Sequence, residues 1–456
     1  MKLVHAIGSA IIASIPTYAM AQALPLDCPR LADESAYSEQ LSFLAPLRAD
    51  PVSGWITRGS DERTDFGFSA DGVALMGMLV DILEARYGTH LVTVVPPPRG
   101  MFAPHTRDKD AVTQRYARLL DQLRRAGAIV PDVWSEVQST AGGPQDFYFK
   151  TDTHWTPTGA LLAARATGRA IAASGLINLP PVGTHFSITD SPEKMEQAGT
   201  IIRAVKEICG HEIPPETVAV PVIVPVAQPN TTTLAGLFGD QAAASVNDVV
   251  LVGTSFTNLS GRDRLRWGDG LKLALQTDLS NRGLGGGSFA GSINAYALDG
   301  LAEERPNILI WEFLHAYVWN STAGQVREIL GNVMGTCPAG GDTAETAVNV
   351  DDTNWHVLAQ VPAGHDFVEL KLDGMQQGQT EFSLVSDGGA SLRTRFVRDD
   401  RVEPSARSDI WAFYSGDPLA AEGAKSASGE LSVRLDRMAL PVNGRLRTCA
   451  AVDTRR

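Results

Sequence analysis

The sequence predicts an α/β protein: a three-layer domain with a mostly parallel sheet, followed by a C-terminal all-β sandwich. Two observations carry this. Over residues 24–335 short β-branched runs alternate with longer stretches of helical spacing, the pattern of a sheet covered by helices on both faces. From about Ala344 the helical spacing stops, and short strand-like runs follow one another between Gly, Asp, Asn and Pro clusters. At 456 residues the chain also exceeds one comfortable core, so two domains are expected, 24–335 and 336–456, behind a leader at 1–23.

The leader comes first. Lys2 precedes an apolar run over 6–15, and Ala19-Met20-Ala21 fits the small-x-small site of a cleaved secretory signal peptide. That run is shorter than the ~20 apolar residues a bilayer span needs. The chain is therefore expected to be exported. Cys28, Cys209, Cys337 and Cys449 all follow the leader, and none forms a Cys-x-x-Cys pair. In an oxidising compartment two disulfides are expected. Of three pairings, Cys28–Cys209 with Cys337–Cys449 keeps each bridge inside one domain. A net charge of -13 argues against a general nucleic-acid binder.

In the first domain, residues 91–95 form a buried strand closed by Pro96-Pro97-Pro98. Residues 112–125 read as a helix and 128–134 as a further strand. Thr156 and Pro157 read as the N-cap and first residue of a helix running to Ile171. Residues 248–252 and 307–311 are two more buried strands, and 264–279 is helical. In the second domain the expected strands are 355–361, 367–372, 381–385, 391–397, 410–414 and 431–435.

Chemistry concentrates in two places. Thr151-Asp152-Thr153-His154-Trp155 lies in a loop before a capped helix. In extended chain, residues two apart share a side, so Asp152 can fix the tautomer of His154. The pair could also bind a metal, but no second His/Asp cluster of suitable spacing stands out. The strand 249–252 runs into Gly253-Thr254-Ser255-Phe256-Thr257, a strand, a glycine turn and a serine, as in a nucleophile elbow. It departs from Gly-x-Ser-x-Gly at Thr257. Ser255 is the expected nucleophile, His154 the base and Asp152 the orienting acid. The N–H groups of Ser255 and Phe256 are candidates to stabilise an oxyanion. Gly285-Gly286-Gly287-Ser288 is a turn that can bring backbone to a substrate.

Three further groups are candidates. Tyr317, after the last strand of the sheet, could serve the oxyanion or orient the acyl group. Arg99, after the triple proline, could bind a carboxylate. Arg393, Arg395, Arg398, Arg401 and Arg407 cluster in the sandwich beside Trp411 and Tyr414. Arginine forks suit carboxylates and aromatic rings stack on sugars, which together suit a uronate polymer. A solvated strand face laced with Asp399, Asp400 and Glu403 explains the same residues equally well.

Asp152-Thr153-His154-Trp155-Thr156, the later Gly253-Thr254-Ser255 and Trp311-Glu312 resemble the alginate O-acetyltransferases of the AlgX/AlgJ group. The order is telling: the Asp/His pair precedes the serine, whereas ordinary SGNH esterases place the serine first. The resemblance implies an SGNH-hydrolase-like, flavodoxin-like α/β/α domain with a carbohydrate-binding module, and no cofactor. It implies transfer of acetyl groups through Ser255 to mannuronate hydroxyls of alginate or another uronate-containing polysaccharide. The acetyl donor stays open, and the resemblance implies a periplasmic location, with periplasmic proteins of polysaccharide modification and export as partners. A serine carbohydrate esterase and a non-catalytic polysaccharide-binding scaffold remain alternatives.

Overall fold

The computed structural model describes residues 27–140, 146–176, 184–189, 193–227, 248–319, 321–337, 342–376, 378–398, 408–419, 426, 428–436 and 440–450. Residues 1–23, expected to be a leader, and Arg401 and Arg407 lie outside the described residues. Among the described residues no helix is long and apolar enough to cross a membrane.

Four parallel strands form the first sheet, in the spatial order His90–Val94, Ile308–Glu312, Val249–Val252, Ser280–Asn281. Val249–Val252 and Ile308–Glu312 are buried at every position, which is why they read as continuous apolar runs and not as alternation. Helices pack around this sheet, including Ala70–Ile82 against Thr322–Met334 and Pro157–Ser174 against Trp267–Leu275. Thr156 does cap its helix, accepting from Gly159 N–H.

Two expectations need correction. Residues 128–134 contribute only a parallel bridge, Val92 to Ile129. Asp132 then accepts from Ser135 N–H at 2.9 Å and starts the helix Val133–Ser139. A capping carboxylate after Pro131 outweighed the apolar composition. The helix expected over 264–279 is confined to Trp267–Leu275, because Arg266 and Gln276 at its ends both take left-handed backbone.

The C-terminal part is a sandwich of two four-stranded antiparallel sheets. One contains Thr343–Val350, Val442–Cys449, Phe367–Leu372 and Ile410–Tyr414; the other His356–Val361, Gly429–Leu435, Gly378–Ser386 and Ser391–Arg398. Its core holds Leu370, Phe382, Phe396, Trp411, Phe413 and Val433 among others. Ile410–Tyr414 is buried on both faces. Trp411 and Phe413 enter the sandwich core, while Ala412 and Tyr414 pack toward the first domain. There the helix Thr322–Met334 comes so near that a Cβ on Gly331 would lie 2.4 Å from the Ala412 backbone. Arg327 on that helix donates to the carbonyls of Tyr414 (3.0 Å) and Gly416 (2.7 Å). Both expected disulfides are present, Cys28–Cys209 and Cys337–Cys449. The second joins the sandwich's first strand region to its last, since Thr343 pairs with Cys449.

Candidate active site

The parallel strands end on one edge, where ligands of open α/β sheets bind. Val252 leads there into the Ser255 turn, and Glu312 leads toward Tyr317. The turn is fixed from below by the buried Glu312 carboxylate. Its Oε2 accepts from Thr254 N–H at 2.7 Å, Thr254 Oγ1 at 2.9 Å and Thr257 Oγ1 at 3.0 Å. Burial pushes Glu312 up to about 7, while those hydrogen bonds act in the opposite direction. Only glycine fits before Thr254: a Cβ on Gly253 would meet Thr257 Oγ1 at 2.2 Å and Glu312 Oε2 at 2.6 Å.

The loop before the capped helix meets this turn. Trp155, fully buried, donates from Nε1 to Phe256 O at 3.2 Å, and the two rings pack edge to face. His154 Nε2 thereby lies 2.8 Å from Ser255 Oγ. On its other side His154 Nδ1 lies 3.2 Å from Asp152 Oδ2. With Nδ1–H donating to the carboxylate, Nε2 is the acceptor for the serine proton. Asp152 is held in turn by Gln197 Nε2 at 2.5 Å and Thr153 N–H at 2.6 Å. Burial alone would raise the Asp152 carboxyl. The facing His154 and the bonds from His154, Gln197 and Thr153 outweigh it and keep Asp152 well below the usual carboxylate range. The backbone of Gly199 closes the space, as a Cβ there would lie 2.2 Å from Asp152 Cγ.

A cavity of about 800 Å³ opens over the pair, lined by His154, Ser255, Arg58, Gly286, Tyr317 and Trp319 among others. A second, of about 760 Å³, shares Tyr317 and Trp319 with it and continues to the sandwich, where Arg393, Arg395, Arg434 and Glu381 form its wall. Arg393 and Arg395 point outward from their strand, as their spacing predicts. Arg393 and Arg434 stack over Trp355 at 4.9 and 5.2 Å, and both pair with Glu381. The glycine turn brings Gly286 to the first cavity and Ser288 to the second.

Other candidates do not reach substrate space. Arg99 is buried, donating to the carbonyls of Ile56, Phe149 and Lys150 and facing Asp61 at 3.5 Å. Its guanidinium is engaged by interior partners and does not line the cavity, so it is not a free carboxylate binder. Trp411 is fully buried, with Nε1 donating to Met375 O at 3.3 Å, so it cannot stack on a sugar. Arg398 covers the Trp411 ring at 4.2 Å and donates to the carbonyls of Ser408 and Ile410. It closes the sandwich and does not join the wall of Arg393 and Arg395. The Phe256 N–H donates to Thr254 Oγ1 at 3.2 Å, which removes it from the expected oxyanion donors. Gln197, Arg58, Trp319, Trp355 and Arg434 are additions that no local motif marks.

A serine, an imidazole and a carboxylate in hydrogen-bonded series lie at the carboxyl edge of a parallel sheet in an SGNH-hydrolase-like fold, with the geometry that serine acyl transfer requires. The chain matches the family described as "SGNH hydrolase-like domain, acetyltransferase AlgX" over residues 54–315, more than half its length, and belongs to that family. It is 30% identical over 327 residues to the alginate biosynthesis protein AlgX of Pseudomonas aeruginosa, covering 66% of this chain and 62% of that one. It is 28% identical over 256 residues to the probable alginate O-acetylase AlgJ of Pseudomonas syringae pv. tomato, covering 55% and 62%. The chain spans 60–63% of the length of the curated AlgX relatives it matches. The solved structure of Pseudomonas aeruginosa AlgX shares the fold, with a TM-score of 0.69 at 21% identity over 93% of this chain and 99% of that one.

Proposed function

We propose that this protein is a periplasmic O-acetyltransferase that moves acetyl groups onto mannuronate hydroxyls of alginate, or of a related acidic exopolysaccharide, through an acetyl-Ser255 intermediate. The observation that carries the reading is the 2.8 Å approach of Ser255 Oγ to His154 Nε2, with Asp152 behind, in a member of an acetyltransferase family. In the first step His154 Nε2 takes the Ser255 proton and Oγ attacks the acetyl carbonyl of a donor ester. The tetrahedral intermediate collapses, the donor's oxygen leaves with the proton from His154, and acetyl-Ser255 remains. In the second step a sugar hydroxyl gives its proton to Nε2 and attacks the acetyl carbonyl. Ser255 Oγ then departs and recovers the proton. Tyr317, on the wall of the same cavity, serves the acyl group in this scheme.

The same reading assigns the sandwich, 336–456, as the polymer-binding module, with Arg393 and Arg395 taking uronate carboxylates along the second cavity. Residues 24–335 are the catalytic domain and 1–23 its cleaved leader. Two disulfides suit an oxidising compartment. The test is incubation with a small acetyl ester and oligomannuronate, read by mass spectrometry. Acetyl mass on the sugar is expected. Release of free acetate with no sugar product would make the protein an esterase, and neither product would leave a scaffold.

A further inference from the structure

Charge beside the Ser255 cavity is unevenly balanced. The fully buried Asp61 serves two guanidinium groups at once. Its Oδ1 accepts from Arg58 Nε at 3.1 Å and Nη2 at 2.7 Å, while its Oδ2 faces Arg99 Nη1 at 3.5 Å. Oδ2 also accepts the Arg58 backbone N–H at 2.9 Å. The Asp61 carboxylate is therefore shared between two guanidinium groups, with the Asp152 charge also acting on Arg99. An incompletely paired buried charge is costly, so an arrangement that keeps one suggests that an anion visits.

Of the three, only Arg58 lines the cavity that holds Ser255 and His154. Asp61 engages the Nε and Nη2 edge of its guanidinium, which directs the Nη1 edge elsewhere. The other charged groups on this cavity do not change the balance. Arg63 is fork-bonded to Asp65 and stacked on Trp319 at 3.6 Å, and Glu34 lies at the exposed rim. His315, beside the cluster, is pushed down to about 4 by burial, with the Arg58 and Arg63 charges acting the same way and Asp61 opposing. It stays neutral and adds no charge.

We propose that Arg58 forms a carboxylate-binding subsite inside the catalytic cavity, taking the carboxylate of the uronate ring whose hydroxyl is offered to Ser255. This rests on the acetyltransferase reading and adds acceptor selectivity to it. A planar guanidinium already held on one edge presents a fixed fork, the geometry a carboxylate matches with two hydrogen bonds. A neutral hexose would leave that buried fork unmatched, which is how a polar site rejects an analogue lacking the partner group. The sandwich arginines would then draw the polymer in, and Arg58 would select the ring at the serine.

The test compares wild type, Arg58→Gln and Arg58→Lys on oligomannuronate, on a neutral mannose oligomer, and on hydrolysis of a small neutral acetyl ester. Arg58→Gln is expected to raise KM for oligomannuronate about tenfold more than it impairs either neutral reaction. Arg58→Lys keeps the charge opposite Asp61 and is expected to recover part of the loss. Equal losses on all three substrates, or an unchanged KM for oligomannuronate, would overturn the inference. If wild type acetylates no sugar, the acetyltransferase reading fails by itself. Calorimetric binding of a short mannuronate oligomer still reports on Arg58 in that case: a Kd about tenfold weaker in Arg58→Gln supports the subsite, and an unchanged Kd excludes it.

Discussion

In the proposed mechanism the imidazole of His154 works only with its proton on Nδ1, where the Asp152 carboxylate, 3.2 Å away, would accept it. That carboxylate is nearly fully buried and anchored by Gln197 and Thr153, so it has little freedom to follow a rotated ring. Asp152→Asn removes the charge that stabilises the imidazolium and offers an N–H where an acceptor is needed. We expect kcat for acetyl transfer to fall about a thousandfold or more with the fold intact, measured by steady-state kinetics beside circular dichroism. A loss below tenfold would contradict the assigned role. At this scale the sequence was legible where spacing carried the information. Asp152 and His154 lie two apart in one loop, and Ser255 follows a glycine after a buried strand. It was misleading where burial decided. Arg99, Arg398 and Trp411 have the right chemistry for a uronate, but the chain folds each of them onto interior partners. Gln197 and Arg58 reach the site from segments far from both motifs, so no local pattern announces them.

Among the elements, the turn after Val249–Val252 is the most constrained. Glu312 on the neighbouring strand takes three donors from Thr254 and Thr257, and Gly253 lets the backbone pass against it. Gly253→Ala should force the turn away from Glu312, destabilising the protein by about 1–3 kcal/mol as an overpacked site and moving Ser255 from His154. Denaturant unfolding and kcat, measured together, check both effects. A stable variant with full activity would show that the turn tolerates displacement. Strands that cross the core were predictable from unbroken β-branched runs, as 248–252 and 307–311 show. Residues 128–134 looked alike in composition, yet only a bridge at Ile129 joins the sheet, and a capping bond from Asp132 starts a helix at Val133. The sandwich strands Thr343–Val350 and Val442–Cys449 escaped notice because polar residues dilute their alternation.

Taken whole, the molecule joins its two parts through the helix Thr322–Met334, which packs on the sheet domain and on Ile410–Tyr414. Glu328 on that helix is buried near Arg398, and burial pushes it up to about 8, with the Arg398 charge and an Asn294 hydrogen bond opposing. Its ordinary value is 4.5, so the folded protein keeps a proton that the unfolded chain releases. Stability from this group is therefore full below about pH 4.5 and is lost as pH rises toward about 8. Glu328→Gln should show a shallower fall in Tm than wild type across that window; an identical slope would remove Glu328 as the cause. The Cys337–Cys449 bridge spans 112 residues and is expected to contribute about 4 to 5 kcal/mol in the chain-entropy model. Cys337→Ser/Cys449→Ser should lower unfolding stability by that order in denaturant titrations. Its pairing was legible because it keeps each bridge within one domain, whereas the shared cleft between the parts was not, since Tyr317, Trp319 and Arg434 come from separate segments.

Everything proposed for the reaction depends on Ser255 carrying the acetyl group. Rapid-quench mass spectrometry of the protein mixed with a small acetyl ester, without sugar, tests it most directly. A transient gain of one acetyl group is expected on the peptide containing Ser255, absent in Ser255→Ala and discharged when oligomannuronate is added. Acetyl on another residue, or sugar acetylation that persists in Ser255→Ala, would contradict it.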